Sequence, residues 1–298
     1  MKTVAILGPT ASGKTDVALR LARRFDAVIL SLDSLAVYRR IDIASAKPTP
    51  KERHGIPHFG IDVIEPDMAF SVSLFIDIYR DAARFCETEE KPLLIVGGTG
   101  FYLKMLMDGL SDLPAANATI RHAVDETLED LSKAYATLET IDPAYAAKIP
   151  PTDRYRIGKG LEIYYTTGQT PKRWFDDHPP KPILSDATLL EISLPKERLW
   201  KRIEARTAAM FRQGLVDEVA NLEKRYGRAP HPMKAIGIQE VLDYFDGKRT
   251  LPQTQEAIAI HTRQLAKRQR TFNTTQLPDH FKGDLEAVEA MAVRSLKR

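Results

Sequence analysis

The chain has 298 residues, of which 43% are hydrophobic and 28% are charged, a composition typical of a soluble globular protein with one large or two modest domains. Its net charge of +3 is too small to imply a nucleic-acid partner by itself, and its single cysteine, Cys86, excludes an internal disulfide or a cysteine-based zinc site. No apolar stretch approaches the roughly 20 residues that span a bilayer, and residues 4–7 are too short for a signal peptide, so we expect a cytoplasmic protein with no membrane partner.

The first hundred residues alternate between short apolar runs and helical patterns. Apolar runs at residues 4–7, 27–32 and 92–96 predict strands, and the apolar positions 17, 21 and 25 predict a helix between the first two. A second amphipathic helix, which places Cys86 in the core, is indicated by Phe75, Ile78, Tyr79, Ala82 and Phe85. This order of elements predicts an α/β fold with a parallel sheet covered by helices.

A helical texture without strands begins near Pro114. One long apolar stripe is formed there by Ile120, Val124, Leu128, Leu131 and Tyr135. Residues 189–194 then predict a further strand, so we predict a core domain made of residues 1–113 and 182–298 and a helical insertion of residues 114–181. The last hundred residues are predicted to be mostly helical, with breaks at Gly214, Gly227, Gly237 and Gly247.

Residues 8–15, with the sequence GPTASGKT, match the pattern G-x-x-x-x-G-K-[ST] between a predicted strand and a predicted helix. Glycines let backbone N–H groups turn toward an anion, the helix N-terminus adds positive potential, Lys14 supplies a charge, and the Thr15 hydroxyl can hold Mg²⁺. The pattern predicts a diphosphate or triphosphate site formed by Gly8, Pro9, Thr10, Ala11, Ser12, Gly13, Lys14 and Thr15. Nucleoside triphosphates, ATP among them, are the usual ligands of such loops.

Two more segments follow predicted strands. Asp33 ends the second strand and is a magnesium ligand, a general base toward an acceptor, or a helix N-cap. The third strand runs into residues 97–100, GGTG, without the acidic residue that an ATP hydrolase often carries there for its metal. Because open parallel sheets place functional groups at the carboxyl ends of their strands, we expect Asp33 and the phosphate loop to face one crevice.

A helix near the C-terminus is predicted to have two distinct faces. One face carries the cations Arg263, Lys267 and Arg270. Another, at sevenfold spacing, carries the apolar residues Ile258, Leu265 and Phe272. The cationic face, which we call the basic stripe, is either a solvated surface or a track for a phosphate backbone.

The histidines give no metal site from their spacing. His54 and His58 are four residues apart, but Gly55 and Pro57 between them argue against a helix that would align the two rings. We therefore expect both in a surface loop.

A series of further motifs follows the phosphate loop: Asp33-Ser34, Val37-Tyr38-Arg39, Ala46-Lys47-Pro48, Val96-Gly97-Gly98-Thr99-Gly100 with Tyr102, Asp153 with Arg156, Leu161-Glu162, Gly168-Gln169, Met210 with Gly214-Leu215, Ala235-Ile236-Gly237 and Ala266-Lys267-Arg268-Gln269. In this order, from about residue 3 to residue 272, the chain resembles the bacterial tRNA dimethylallyltransferases, also called tRNA isopentenyltransferases.

The resemblance implies a core like that of P-loop nucleotide kinases, with an all-helical insertion that helps to grip the anticodon stem-loop of tRNA. It implies transfer of the dimethylallyl group from dimethylallyl diphosphate to N6 of the adenosine at tRNA position 37, with release of diphosphate and with Mg²⁺ as cofactor. We interpret the protein as a monomer that acts on these two substrates.

Carried over residue by residue, the resemblance assigns roles to side chains of this chain. The phosphate loop would hold the donor diphosphate, aided by Arg206, with Thr15 at the metal. Asp33 would receive the N6 proton, and Asp33, Thr99 and Arg206 form the catalytic set. The tRNA would be contacted by Asp33, Ser34, Leu35, Ala36, Thr99, Arg121, Tyr155, Arg156, Ile157, Gly158 and Lys159.

This chain departs from the family pattern at three places. Ala36 stands where many relatives carry glutamine, which removes one expected hydrogen bond to tRNA. Residues 237–240, GIQE, replace Gly-Tyr-Lys-Glu, and residues 271–273, TFN, replace Thr-Trp-Phe, and both changes should alter packing near the tRNA.

Three other functions fit parts of the sequence. A small-metabolite kinase would place ATP in the phosphate loop and use Asp33 to activate a hydroxyl. A related transferase would prenylate free AMP, and a nucleotide-gated RNA-binding module would use the same loop without chemistry.

Overall fold

A computed structural model describes residues 1–297 of the chain, which divides into two compact units. The first unit contains Met1–Met105 and Ser185–Arg298, and the second contains Leu106–Leu184. The predicted insertion, residues 114–181, lies within the second unit. The second unit begins eight residues before the predicted insertion, inside a helix where the sequence shows no change of texture, and it ends three residues after the insertion.

The first unit is built on a six-stranded sheet in which every pairing is parallel. Its strands, in chain order, are β1 (Thr3–Leu7), β2 (Val28–Leu32), β3 (His58–Phe59), β4 (Leu93–Gly97), β5 (Thr188–Ile192) and β6 (Phe281–Gly283). They lie side by side in the order β3-β2-β4-β1-β5-β6. The predicted α/β class with a parallel sheet is confirmed.

Helices make up most of the remaining chain. In chain order they are α1 (Lys14–Phe25), α2 (Pro50–Arg53), α3 (Val72–Thr88), α4 (Gly100–Asp108), α5 (Ala118–Thr127), α6 (Leu131–Ile141), α7 (Pro143–Ala146), α8 (Arg154–Thr167), α9 (Pro171–Asp177), α10 (Lys196–Arg212), α11 (Leu215–Tyr226), α12 (Ile238–Phe245), α13 (Leu251–Gln276) and α14 (Leu285–Lys297), with a short 3₁₀ turn at His231–Lys234. The predicted breaks at Gly214, Gly227, Gly237 and Gly247 all lie at helix ends.

The core of the first unit lies on both faces of the sheet. Val4 and Ile6 of β1 pack with Val17 and Leu21 of α1, and residues of the opposite parity, such as Ala5, are buried as well. Strands of a sheet that is covered on both faces are apolar at successive positions, whereas strands with one solvated face alternate between apolar and polar residues. The sequence of this chain shows the first pattern. Cys86 on α3 is buried, as predicted, and burial raises the pKa of its thiol to about 11.

The three central strands end at the same level. Gly97 of β4 pairs with Leu7 of β1 on one side and with Leu32 of β2 on the other. Gly97 has no room for a side chain, because a Cβ there would lie 2.5 Å from the carbonyl oxygen of Leu32. The Thr99 N–H donates to that same oxygen at 3.3 Å, so the loops after β1, β2 and β4 leave one edge of the sheet together.

The second unit contains helices α5 to α9 around its own core. That core is formed mainly by Val124, Leu128, Ala134, Leu138, Ala146, Ile149, Ile157 and Leu161. The five residues of the predicted apolar stripe all lie in or against this core, but they come from two helices, since α5 ends at Thr127 and α6 starts after Asp130. The side chain of Asp130 accepts a hydrogen bond from the Lys133 N–H at 3.0 Å and so caps a new helix.

Two short strands were missed by the sequence patterns. The two-residue β3 and the three-residue β6 lie at the edges of the sheet. His58 is half-buried in β3 instead of lying in a surface loop, and its Nδ1 pairs with the Ile56 carbonyl at 2.7 Å. His54 is exposed at the end of α2, as expected.

Candidate active site

The phosphate loop connects β1 to α1 through a strained backbone. Gly8, Ala11 and Gly13 all have positive φ angles, of 148°, 63° and 98°. Glycine adopts such angles without cost, but Ala11 does so against the preference of its Cβ, and such outliers persist only where surrounding contacts hold them. The loop is not a mobile surface turn, since Gly8, Pro9 and Ser12 are buried.

Three side chains from distant parts of the chain hold this loop. Arg206 Nη1 donates to Thr10 Oγ1 at 3.2 Å, and Arg202 Nε donates to the Ala11 carbonyl at 2.7 Å. Gln269 Oε1 accepts from the Thr10 N–H at 2.9 Å. Arg206 was predicted as a site residue, whereas Arg202 and Gln269 were not. Arg202 and Arg206 are four residues apart on α10, a spacing that the sequence shows and that places both on one face of the helix.

Two cations and one carboxylate set the electrostatics at the loop. The pKa of Lys14 is lowered to about 8, chiefly by burial and in addition by the charge of Arg206, while the charge of Asp33 acts in the opposite direction. Burial also lowers the pKa of Arg206, again against the attraction of Asp33. Asp33 therefore lies within electrostatic range of both cations, and the excess positive charge suits a ligand with more than one negative charge.

A cavity of about 970 Å³ adjoins the loop. Its charged lining includes Lys14, Arg202 and Arg206, and its apolar lining includes Ile43 and Met210. This volume exceeds what a diphosphate alone would fill, so the cavity has room for a larger ligand with charged and apolar parts.

Asp33 caps a turn at the end of β2. Its Oδ1 accepts from the backbone N–H groups of Leu35, at 2.8 Å, and Ala36, at 3.2 Å. Within residues 1–297 both hydrogen bonds of this carboxylate involve Oδ1, which leaves Oδ2 for a proton. The capping role and a role as a base are therefore compatible, because they use different oxygen atoms.

The turn after β4 brings Thr99 to the same sheet edge. Phe101, two residues later, is 41% exposed, and its ring meets that of Phe272 edge-on with centroids 6.5 Å apart. Tyr102 turns inward instead, where burial raises its pKa to about 12 and its ring packs against Phe75 at 4.9 Å. Thr99 thus lies near the exposed ring of Phe101, on a turn that the packing of Tyr102 against Phe75 holds to the core.

Family models match most of the chain. A model described as IPP transferase matches residues 36–276, and one described as Isopentenyl transferase matches residues 1–61. The chain belongs to the IPP transferase family. The resemblance inferred from its motifs is confirmed.

Relatives and solved structures agree with this assignment. A tRNA dimethylallyltransferase of Sulfurovum sp. is 47% identical over 99% of this chain and 98% of its own length, and one of Nautilia profundicola is 46% identical over 98% and 99%. The full-length tRNA isopentenylpyrophosphate transferase from Bacillus halodurans is 30% identical with a TM-score of 0.71, over 99% of this chain and 97% of that one. A eukaryotic dimethylallyltransferase acting on tRNA is 27% identical with a TM-score of 0.85, over 95% and 74%.

The predicted RNA-contact residues of this IPP transferase differ in exposure. Ser34 is exposed, whereas the Ala36 side chain is buried, so Ala36 can offer a partner little beyond its backbone. In the second unit Tyr155 is 72% exposed and lines a groove of about 460 Å³ with Arg121 and Lys159.

Two residues of α8 that are predicted to contact tRNA are buried. The Ile157 side chain is fully buried in the core of the second unit. Gly158 is buried as well, and a Cβ there would lie 2.9 Å from Leu128, so this glycine permits close packing between α8 and α5. The Ile157 side chain is therefore closed to RNA, whereas Gly158 lines the groove beside Tyr155 and Lys159 and can be reached through its backbone.

Only part of the basic stripe of α13 is exposed to solvent without a role in the fold. Arg263 pairs with Glu204 and lies over the Trp200 ring at 5.0 Å, so its charge is used within the fold. Lys267 and Arg270 are exposed.

The predicted apolar face of α13 needs correction as well. Ile258 is buried, but Leu265 and Phe272 are only half-buried, while Ala266 and Asn273 are buried in their place. A straight helix drifts by about 20° per heptad, so a sevenfold repeat does not stay on one face over the 26 residues of α13.

One side chain at the loop, that of Thr15, could offer a hydroxyl oxygen to a magnesium ion. The Thr15 side chain is exposed at the first turn of α1. Among residues 1–297, no group of three or more histidine, cysteine or acidic residues could hold a metal. A single hydroxyl ligand is compatible with Mg²⁺, which usually takes one or two protein ligands and completes its shell with substrate phosphates and water.

The same described residues contain no helix with the length and apolarity that crossing a bilayer requires.

Proposed function

We propose that this protein transfers the dimethylallyl group of dimethylallyl diphosphate to N6 of the adenosine at position 37 of tRNA, releasing diphosphate. One observation carries the proposal: Leu7, Leu32 and Gly97 end adjacent strands at one level, so that an anion loop and the carboxylate of Asp33 share one edge of the sheet. The names of full-length relatives support the same reaction.

The loop side of the site would bind the donor. Backbone N–H groups of the loop, Lys14 and Arg206 would hold the diphosphate, and the adjoining cavity is large enough for a five-carbon tail as well. Mg²⁺, held by Thr15 and the donor phosphates, would neutralise part of the diphosphate charge.

The chemistry required of the protein is alignment and proton removal. The adenine N6 attacks C1 of the allylic donor, the C1–O bond breaks, and its electron pair leaves with the diphosphate. An exocyclic adenine amine is a weak nucleophile, so its proton must pass to a positioned base, for which Asp33 Oδ2 is free. Lys14, Arg206 and the loop amides would stabilise the departing charge.

The acceptor base must leave the RNA stack to reach this edge. Unstacked bases in single-stranded loops can be extruded at low cost, which favours an anticodon loop over a duplex. The exposed Phe101 ring beside Thr99 offers an aromatic surface to RNA at the mouth of the site.

A kinase fits the same edge less well. Gly97 stands where a metal-binding aspartate would end the strand, and Leu32 leaves no space for any side chain there. The relatives that match along their full length are named tRNA dimethylallyltransferases, which supports neither a kinase nor a transferase acting on free AMP.

One experiment tests the proposal against its alternatives. The protein is incubated with dimethylallyl diphosphate labelled in the allyl group and with total tRNA from cells that lack the modification. Label should enter RNA. Label entering free AMP, or ATP-dependent phosphorylation of a metabolite without label in RNA, would contradict the proposal.

The lowered pKa of Lys14 predicts a pH limit for donor capture. Below about pH 8 the ammonium is charged and attracts the diphosphate; as the pH rises through about 8 the free enzyme loses this charge. The kcat/KM for the donor should therefore fall above about pH 8, approaching a tenfold loss per pH unit. Lys14→Arg, which stays charged, should extend the plateau, and an equal fall in that variant would assign the titration to another group.

The exposed part of the basic stripe predicts a salt-sensitive contact with tRNA. Replacing Lys267 and Arg270 by alanine should raise the KM for tRNA and flatten its dependence on salt, because fewer counterions are released on binding. Arg263→Ala is the control: it should lower the melting temperature through loss of its Trp200 and Glu204 contacts and leave the salt slope unchanged. An unchanged slope in the double variant would make the stripe a solvated surface.

A further inference from the structure

Gln269 on α13 lies between the two loops that the proposed reaction needs. On one side its Oε1 accepts from the Thr10 N–H of the phosphate loop at 2.9 Å. On the other side its amide abuts Gly98, in the turn that carries Thr99, so closely that any Cβ at Gly98 would overlap the Gln269 side chain. A single side chain therefore contacts both the donor loop and the acceptor turn.

The contact with Thr10 determines how the phosphate loop is oriented. Because Gln269 takes the Thr10 N–H, that amide does not turn toward an anion, and Arg206 holds the Thr10 hydroxyl at the same time. The next residue, Ala11, has a φ of 63°, which its surroundings must impose. Gln269 thus holds the Pro9–Thr10 peptide, one peptide before the bond that leads into the strained Ala11, and Arg206 holds the side chain between them.

The chemical type of this side chain also matters. A hydrogen-bond acceptor is needed to pair with this part-buried N–H, which excludes lysine and arginine. A carboxylate would satisfy the same N–H but would place a negative charge against a loop that receives a diphosphate. A neutral amide of this length meets both requirements.

We propose that Gln269 is a positioning residue that holds the phosphate loop and the Thr99 turn in one arrangement, so that diphosphate affinity and the transfer rate depend on a side chain that touches neither substrate. The inference rests on the proposed function, since it assumes that the loop holds the donor diphosphate.

The test uses three variants of the full chain with inorganic diphosphate as the probe. Gln269→Leu keeps the size but leaves the Thr10 N–H without a partner, and should raise the inhibition constant of diphosphate about tenfold or more and slow single-turnover transfer at saturating donor. Gln269→Glu should keep the hydrogen bond yet weaken diphosphate binding through like-charge repulsion. Gln264→Leu, at an exposed position of the same helix, should match the unaltered protein.

Two further measurements separate positioning from a general structural role. In Gln269→Leu the affinity for an anticodon stem-loop without donor should stay close to that of the unaltered protein, and the melting temperature should fall by no more than the few degrees that one unpaired, part-buried N–H costs. Unchanged diphosphate inhibition in this variant, or an equal loss of RNA affinity with a lowered melting temperature, would overturn the inference.

Lys14→Ala distinguishes a failure of this inference from a failure of the function. If Lys14→Ala weakens diphosphate inhibition and Gln269→Leu does not, only the role of Gln269 is wrong. If neither variant changes it, the assignment of the loop to diphosphate is wrong as well.

Discussion

Replacing Asp33 by asparagine is expected to slow transfer by about 10² to 10⁴, the usual contribution of a general base. The substitution preserves shape, because an asparagine Oδ1 can still accept from the Leu35 and Ala36 N–H groups that anchor the turn. It removes the basic oxygen that would take the N6 proton. The affinities for donor and tRNA should change much less than the rate, as single-turnover kinetics with both substrates saturating would show.

A magnesium series distinguishes the three roles that Asp33 can have. A metal ligand should give a rate that recovers as Mg²⁺ is raised, whereas the loss of a base should not be reversed. If Asp33 only caps the turn, Asp33→Asn should give near-normal turnover, and that outcome would contradict the assignment of Asp33 as the base. Asp67→Asn, at an exposed position of the same unit, is the matched control and should behave like the unaltered protein.

The sequence predicts those parts of the site whose structure depends on residues that are close together in the chain. The phosphate loop depends on glycines and a lysine at fixed spacing within eight residues, and Asp33 ends a short apolar run of the length typical of a buried strand. That these segments meet follows from the rule that parallel strands carry their functional groups at one edge. The paired register of Leu7, Gly97 and Leu32 fits that rule.

The parts that the sequence does not predict depend on long-range contacts. Gln269 reaches the loop from 259 residues away and Arg202 from 191, and no local pattern shows which face of a helix will meet a loop so distant. The edge strands β3 and β6 have two and three residues, too few for a periodicity to appear.

Apolar periodicity also misled where helices end or drift. Residues 120–135 keep a helical spacing across the break at Asp130, since the end of α5 and the start of α6 both turn their apolar residues toward one core. Only the capping side chain of Asp130 reveals the break. Such caps have short sequence signatures that an apolar stripe running through them hides.

The phosphate loop and Asp33, to which we assign donor binding and proton removal, are held by different contacts. The phosphate loop is held from α10 and α13 by Arg202, Arg206 and Gln269, whereas the hydrogen bonds of Asp33 within residues 1–297 come from its own turn. Donor binding and proton removal should therefore respond to different substitutions, a separation that kinetics can resolve.

Lys14→Ala is expected to lower kcat/KM for the donor by about 10² to 10³, the usual loss when one group that stabilises developing charge is removed. Both the affinity for diphosphate and the rate at saturating donor should fall, because the ammonium would contact the diphosphate before and after the C1–O bond breaks. Asp33→Asn should change the rate alone, so comparing donor inhibition constants between the two variants separates binding from proton removal.

The fold should tolerate this change, for an electrostatic reason. Burial and the neighbouring Arg206 lower the pKa of Lys14, which means that its charged form is less favourable in the folded chain than in the unfolded one. Removing the charge should leave the melting temperature near pH 7 unchanged or slightly raised, although the hydrogen bond from Lys14 Nζ to the Pro9 carbonyl is lost. Lys51→Ala, an exposed lysine on α2, is the control for loss of a positive charge. Normal donor kinetics in Lys14→Ala at both limiting and saturating donor would show that the loop does not hold the diphosphate.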